Sequence, residues 1–143
     1  KIAEVKKVIL FGKDKSKKHV FKTGDKIKIR VIYSINSRII KPIFGIIIND
    51  YNKKPYFVTN TDFKKISTKI YEKGEVYVDF NLENFFAPGT YYISPAIAAE
   101  GVKVFYDWKD NFVSFQVFNT DYTSGGLVDF KHKIYIRKNG FYY

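Results

Sequence analysis

Apolar and polar positions alternate with a period of two along most of the chain. In "KIKIRVIYSI" (26–35), Ile27, Ile29, Val31, Tyr33 and Ile35 share one face. Lys26, Lys28, Arg30 and Ser34 occupy the other, and Ile32 is the exception. "GEVYVDFNL" (74–82) sets Val76, Val78, Phe80 and Leu82 against Glu75, Tyr77, Asp79 and Asn81. "DNFVSFQVF" (110–118) turns Val113, Phe115 and Val117 inward and leaves Phe112, Ser114 and Gln116 outward. Each pattern predicts a half-buried strand. "AEVKKVILF" and "KHVF" (18–21) read as further strands around a charged hairpin loop, "GKDKSK" (12–17), with a glycine turn at "KTGDK" (22–26). "FFAPGTYYISPAIAA" (85–99) reads as a Pro-Gly turn feeding a strand. No window repeats its apolar residues at helical spacing. The expected fold is all-β, an immunoglobulin-like antiparallel β-sandwich over residues 1–118.

Two stretches depart from this pattern. In "PIFGIIINDYNKKPYFVTNTD" (42–62), every position from Ile43 to Ile48 except Gly45 is apolar, so alternation cannot assign a buried face. The stretch then turns abruptly to Asn, Asp, Thr and Tyr. Near the C-terminus, "NTDYTSGG" (119–126) reads as a polar linker, and "LVDFKHKIYIRKNG" (127–140) as one more strand with Phe130, Ile134 and Ile136 on a sparse apolar face. Residues 119–143 then form the linker and an extra C-terminal strand of the same domain. That strand can pair with the domain's own edge or be exchanged between protomers of a dimer.

Composition narrows the function. The 143 residues suit one domain, and a start at Lys1 suggests a piece of a longer protein. No apolar run is long enough to span a bilayer, and the N-terminus has too short an apolar segment for a secretory signal. With no cysteine, disulfides, thiol nucleophiles and thiolate metal sites are excluded, which fits a reducing compartment. A net charge of +11 invites a nucleic-acid or anionic-polymer reading. Yet only Arg30, Arg38 and Arg137 are arginines, whereas bidentate guanidinium contacts dominate base and phosphate recognition. The abundance of Ile, Asn, Tyr and Phe points to AT-rich codons, and with it to lysine spread over a solvated surface.

Catalytic chemistry has few candidates. His19 and His132 lie in lysine-rich segments away from any strand-turn-helix serine, and "SGG" (124–126) lacks the lysine and helix of a phosphate loop. Asp107 and Asp110, in "YDWKD", read as solvated aspartates of a turn rather than a calcium or acid–base pair. Trp108 in that turn either caps the core or offers a stacking surface. Twelve tyrosines and fourteen phenylalanines exceed the needs of a small core. Tyr56, Tyr92 and Tyr106 lie near strand ends or loops, and Tyr91 after "PGT" reads as a corner tyrosine. An aromatic, polar sandwich without catalytic groups suggests a binding module, with no cofactor and no metal.

"FKTGDKIKIRVIYSI" followed by "IKPIFGIIINDYNKKPYFVTNTD" resembles the C-terminal domain of polysaccharide ABC-transporter ATP-binding subunits, the Wzt (O-antigen) type. The matching positions are Thr23, Gly24, Pro42, Phe44, Gly45, Ile46, Asn60, Thr61, Pro88, Gly89 and Tyr91. "GGLVDFKHK" resembles the family's closing linker and extra strand. The chain departs from the pattern at Asn52-Lys53, where the family often has a glycine turn, and in a shortened "AAEGVKVFYD" (98–107). The resemblance implies a non-catalytic carbohydrate-binding module that recognises the non-reducing end of a lipid-linked polysaccharide. It further implies a cytoplasmic location at the inner membrane face and a strand-exchanged homodimer. The partners would be an ATP-binding domain and a transmembrane transporter subunit, with no nucleic acid. If Ile46 and Ile48 face the core, Gly45, Ile47 and Asn49 face outward with Ser94, Ala96, Ser114 and Gln116, forming a shallow trough. Asn60, Asp62, Tyr92, Asp107 and Trp108 are then expected at its rim. The rival readings are a lysine-rich nucleic-acid or anionic-polymer binder, and an adhesion or pilus-type sandwich.

Overall fold

The computed structural model describes residues 1–121 and 124–142; Tyr122 and Thr123 of the expected linker, and Tyr143, lie outside it. In chain order the strands are β1 (Ala3–Phe11), β2 (Val20–Lys22), β3 (Lys26–Ile35), β4 (Ile39–Ile40), β5 (Ile43–Asn49), β6 (Pro55–Asn60), β7 (Ile70–Tyr71) and β8 (Gly74–Glu83). They are followed by β9 (Gly89–Ala98), β10 (Phe105–Trp108), β11 (Val113–Phe118), β12 (Arg137–Lys138) and β13 (Phe141–Tyr142), with a single 3-10 turn between β9 and β10. A three-stranded sheet in the order β1-β3-β8 faces a six-stranded sheet in the order β2-β11-β9-β5-β6, with β10 added to β9. The expected β-sandwich is therefore the fold. One pairing departs from antiparallel: β2 runs parallel to β11, with Val20 opposite Gln116. Its expected span, 18–21, shifts to Val20–Lys22 because the hairpin loop still occupies Lys18 and His19.

Alternation puts the core where the side chains predict. The face Ile27, Ile29, Val31, Tyr33 and Ile35 of β3 is buried throughout. It meets Phe44, Ile46 and Ile48 of β5, Tyr91, Ile93 and Ile97 of β9, and Phe115 of β11. Ile32, on the outer face, is also buried, between Lys7 of β1 and Tyr77 of β8 in the register. Tyr33 ties the two sheets. Its ring lies 4.9 Å from that of Phe44, and its hydroxyl donates to the Ala96 carbonyl at 3.0 Å. Burial pushes that hydroxyl's pKa well up, so it stays a neutral donor. Tyr91 plays the corner role, donating to the Ala87 carbonyl four residues upstream at 2.6 Å.

Two expectations are corrected. Asp107 is not a solvated turn residue: it sits in β10 and is only 5% exposed. A bulge between Phe105 and Asp107 turns Asp107 toward β1, itself bulged between Val5 and Lys7. There Asp107 accepts from the Val5 amide at 2.8 Å and pairs with Lys1 and Lys109. Trp108 likewise ends the strand rather than lying in the turn.

Residues 127–140, expected as an extra strand that pairs with the domain's own edge or is exchanged between protomers, form no long strand within the single chain. Val128 bridges Phe86, and the Asp129 amide donates to the Phe85 carbonyl at 2.7 Å. Asn119 and Ser124 hold the Asp129 carboxylate. These contacts steer the chain off both sheets. Phe130, Ile134 and Ile136 are exposed, and a short β12–β13 hairpin follows.

Asp107 generates a stability prediction. Burial alone would raise its pKa, but the Lys1 ammonium, the Val5 N–H and Lys109 outweigh burial and hold it below the usual carboxylate range. A depressed native pKa contributes stability that is complete above the ordinary value near ~3.9 and is lost as pH falls through the native value. Asp107→Ala should cost about 1–3 kcal/mol at neutral pH, because the Val5 N–H loses its acceptor. Asp107→Asn should retain part of this and flatten the acid limb of the stability curve. Urea unfolding from pH 7 to pH 2 measures both, and parallel curves for wild type and Asp107→Asn would refute the assignment.

Candidate functional site

The outer face of the large sheet carries the most distinctive surface. The register aligns four residues straight across it: Trp108 opposite Ala96, Ala96 opposite Gly45, and Gly45 opposite Asn60. Two minimal side chains therefore lie between an indole and an amide. The result is a trough of about 120 Å³, floored by Gly45, Ala96 and Ser94 and walled by Val58 and Asn60 on one side and Phe105 and Trp108 on the other. That is small beside the roughly 300–1,000 Å³ of a drug-sized pocket, and suits one ring laid on an open sheet.

Gly45 is required by its neighbours. A Cβ built on it would lie 3.0 Å from the Asn60 Cβ and 3.1 Å from the Thr59 carbonyl oxygen. The backbone that approaches so closely is that of the adjacent strand β6. Asn60 itself is fixed by local geometry. Its Oδ1 accepts from the Phe63 amide at 2.7 Å, which identifies the other amide atom as Nδ2, a donor with no protein partner among the described residues. Across the trough, Trp108 is 44% exposed. Its Nε1 donates to Asp110 at 3.0 Å, and its ring meets Phe105 edge-on at 4.8 Å. Asp110 in turn pairs with Lys53 at 3.4 Å. Asp110 and Phe105 fix the indole at the edge of the trough, where it remains partly exposed, and an exposed aromatic ring can stack on a sugar's C–H surface.

The other expected site residues are dispersed. Asn49 and Ser94 share the outer face, but they are committed to one another. Ser94 Oγ donates to Asn49 Oδ1 at 2.7 Å and accepts from the Asn111 amide at 2.9 Å. Asn49 Nδ2 donates to Asn111 Oδ1 at 2.6 Å and to the Asp50 carbonyl at 2.8 Å. Asn111 Nδ2 donates to the Tyr51 carbonyl. This network locks the β5–β6 turn to the β10–β11 turn, and Asn49, 1% exposed, has no polar atom to spare.

Tyr92 lies beyond this network, edge-on to Tyr51 at 5.8 Å, with Ser114 opposite it. Gln116, opposite Thr90, is farther still. Asp62 borders a separate depression with Lys41, Lys65 and Thr68. Asp107 points inward, as described above. Trp108 and Asn60 are thus the expected residues brought together at the trough rim. Phe105 and Val58 complete it. Phe105 escaped alternation because the β10 bulge places it and Trp108 on one face at a spacing of three.

Residues 1–130 match the Wzt C-terminal domain family. No curated protein sequence matches the chain. A crystal structure of the C-terminal domain of Wzt superposes with a TM-score of 0.83 at 13% identity, covering 93% of this chain and 83% of that one. A CARDB domain from Pyrococcus furiosus, solved with two metal ions, gives a TM-score of 0.43 at 17% identity over 82% of this chain and 89% of that one.

The network predicts the effect of its own loss. Asn49→Ala removes the acceptor of the Ser94 hydroxyl and the donor to Asn111 Oδ1, which should cost about 1–3 kcal/mol. The urea midpoint should fall with an unchanged slope; an unaltered midpoint would remove Asn49 from its structural role.

Proposed function

The chain belongs to the Wzt C-terminal domain family, and on that premise we propose that it is a non-catalytic carbohydrate-binding module of O-antigen-type polysaccharide export. The observation that carries this reading is the trough itself. A partly exposed indole, an amide donor without a partner among the described residues, and a floor of Gly45 and Ala96 lie in one row across four strands. Sugars present alternating C–H faces and hydroxyl edges, which such a row can stack and hydrogen-bond at once. A volume of about 120 Å³ suits a single ring, which favours a terminal sugar over an internal stretch of chain. In this reading the domain captures the non-reducing end of a lipid-linked polysaccharide at the cytoplasmic face of the membrane. It works beside an ATP-binding domain and a transmembrane subunit of the intact transporter.

The C-terminal segment supports a dimeric arrangement. Residues 130–136 leave the sandwich with Phe130, Ile134 and Ile136 exposed, and exposed apolar side chains favour burial against a second copy.

Binding should be titrated with surface polysaccharide from the source organism. Trp108→Ala is expected to weaken it about tenfold or more and Asn60→Ala to a lesser degree, with unfolding midpoints near wild type. Unchanged affinity in both variants would eliminate the trough as the glycan site. Truncation after Thr120 is expected to yield monomers or aggregates in sedimentation; an unchanged, stable dimer would defeat strand exchange.

A further inference from the structure

The lysines are not evenly spread. Seven fall between Lys13 and Lys28, against two aspartates. Folding gathers Lys13, Lys15, Lys26, Lys28 and Arg30 around one open groove of about 650 Å³ at the hairpin end of the three-stranded sheet. This groove lies on the opposite outer face of the sandwich from the trough and toward the opposite end of the strands, since β9 begins beside β2 and reaches Ala96 near its far end.

Glu83 is the one acid among the residues that line the groove, and the acids around it are engaged by other groups. Asp79 is taken by Arg30 in a two-pronged pair at 2.8 and 3.0 Å. Asp14 is turned onto the Ser16 amide and hydroxyl, which hold its carboxyl below the usual range. Asp25 accepts from the Lys22 amide. Glu83 faces Lys26 in the register but forms no ion pair with it among the described residues. Lys13, Lys15, Lys26 and Lys28 likewise have no carboxylate within ion-pair distance there. Like charges held in a concavity repel one another and focus a positive potential, and a multivalent anion would relieve both.

From this arrangement we propose that the groove is a binding site for phosphate groups, carried by lipid headgroups or by a soluble phosphorylated ligand. Lysine ammonium groups suit such a ligand as compact charges with several donors. The Arg30 guanidinium lies over Phe11 at 5.3 Å and Tyr77 at 5.6 Å, so the aromatic rings here already carry a cation.

The test titrates the folded chain with pyrophosphate and inorganic phosphate by calorimetry. In parallel, it measures flotation with vesicles of phosphatidylglycerol or of phosphatidylcholine alone. Lys26→Glu/Lys28→Glu should lose pyrophosphate binding at least tenfold. Lys64→Glu/Lys65→Glu, with the same change in net charge elsewhere, and Trp108→Ala should retain it. Lys13→Glu/Lys15→Glu, in the hairpin loop, provides a second reading should the strand variant fold poorly. Flotation with phosphatidylglycerol that pyrophosphate competes away assigns the headgroup source; pyrophosphate binding without flotation assigns the soluble one. Three results overturn the proposal: no binding to either probe, equal loss in the Lys64/Lys65 control, or tighter binding of a short oligonucleotide abolished by the same groove variants.

Discussion

The structure depends on one buried surface, the Ile27–Ile35 face of β3 against Phe44, Ile46 and Ile48 of β5 and their neighbours. Tyr33 stands at its centre, with its ring on Phe44 and its hydroxyl on the Ala96 carbonyl. Because side chains alternate with a period of two, this contact also decides what faces away from it. A slip of one residue in β5 would turn Gly45 and Ile47 inward and expose Ile46 and Ile48. The core therefore specifies the outer face as firmly as the inner one, and the trough is a consequence of that register.

Polar residues divide according to what the packing leaves them to do. Asn49, Ser94 and Asn111 satisfy one another and join two turns. Asp107 closes the side of the sandwich through the Val5 amide and two lysines. Such groups are costly to bury unpaired, and pairing them stiffens the frame on which the exposed groups stand. Trp108 and Asn60 lie at the edges of that frame, each with one hydrogen bond that sets its orientation and one surface left over. The two outer faces have different characters as well. One is a small-residue trough with an aromatic wall, and the other is a lysine-lined groove whose acids serve turns and cross-strand pairing.

Much of this was legible before folding was considered. The strands β1, β3, β5, β8, β9 and β11 follow from alternation, turn residues and short apolar runs, and so does the inward face of each strand that alternates. Trp108 and Asn60 were recognisable as candidates for a rim. Asn49 and Asp107 are committed to partners distant in sequence, and a polar residue on or near an outward position looks the same in the sequence whether it faces solvent or such a partner. Phe105 and the true position of Asp107 were hidden by bulges, which shift the phase of a strand without a mark in its composition. The extra C-terminal strand had the right pattern, yet pattern alone provides no partner for its backbone.

The sequence by itself determined the class of fold, the layout of its strands and their inward faces, because period-two burial is written in consecutive residues. Tertiary structure decided which outward residues meet. Trp108, Ala96, Gly45 and Asn60 come from four strands, and Lys13, Lys15, Lys26, Lys28 and Arg30 from a hairpin loop and a strand. Their juxtaposition depends on strand order, register and bulges, which arise from pairing between distant segments and so have no signature within any one of them.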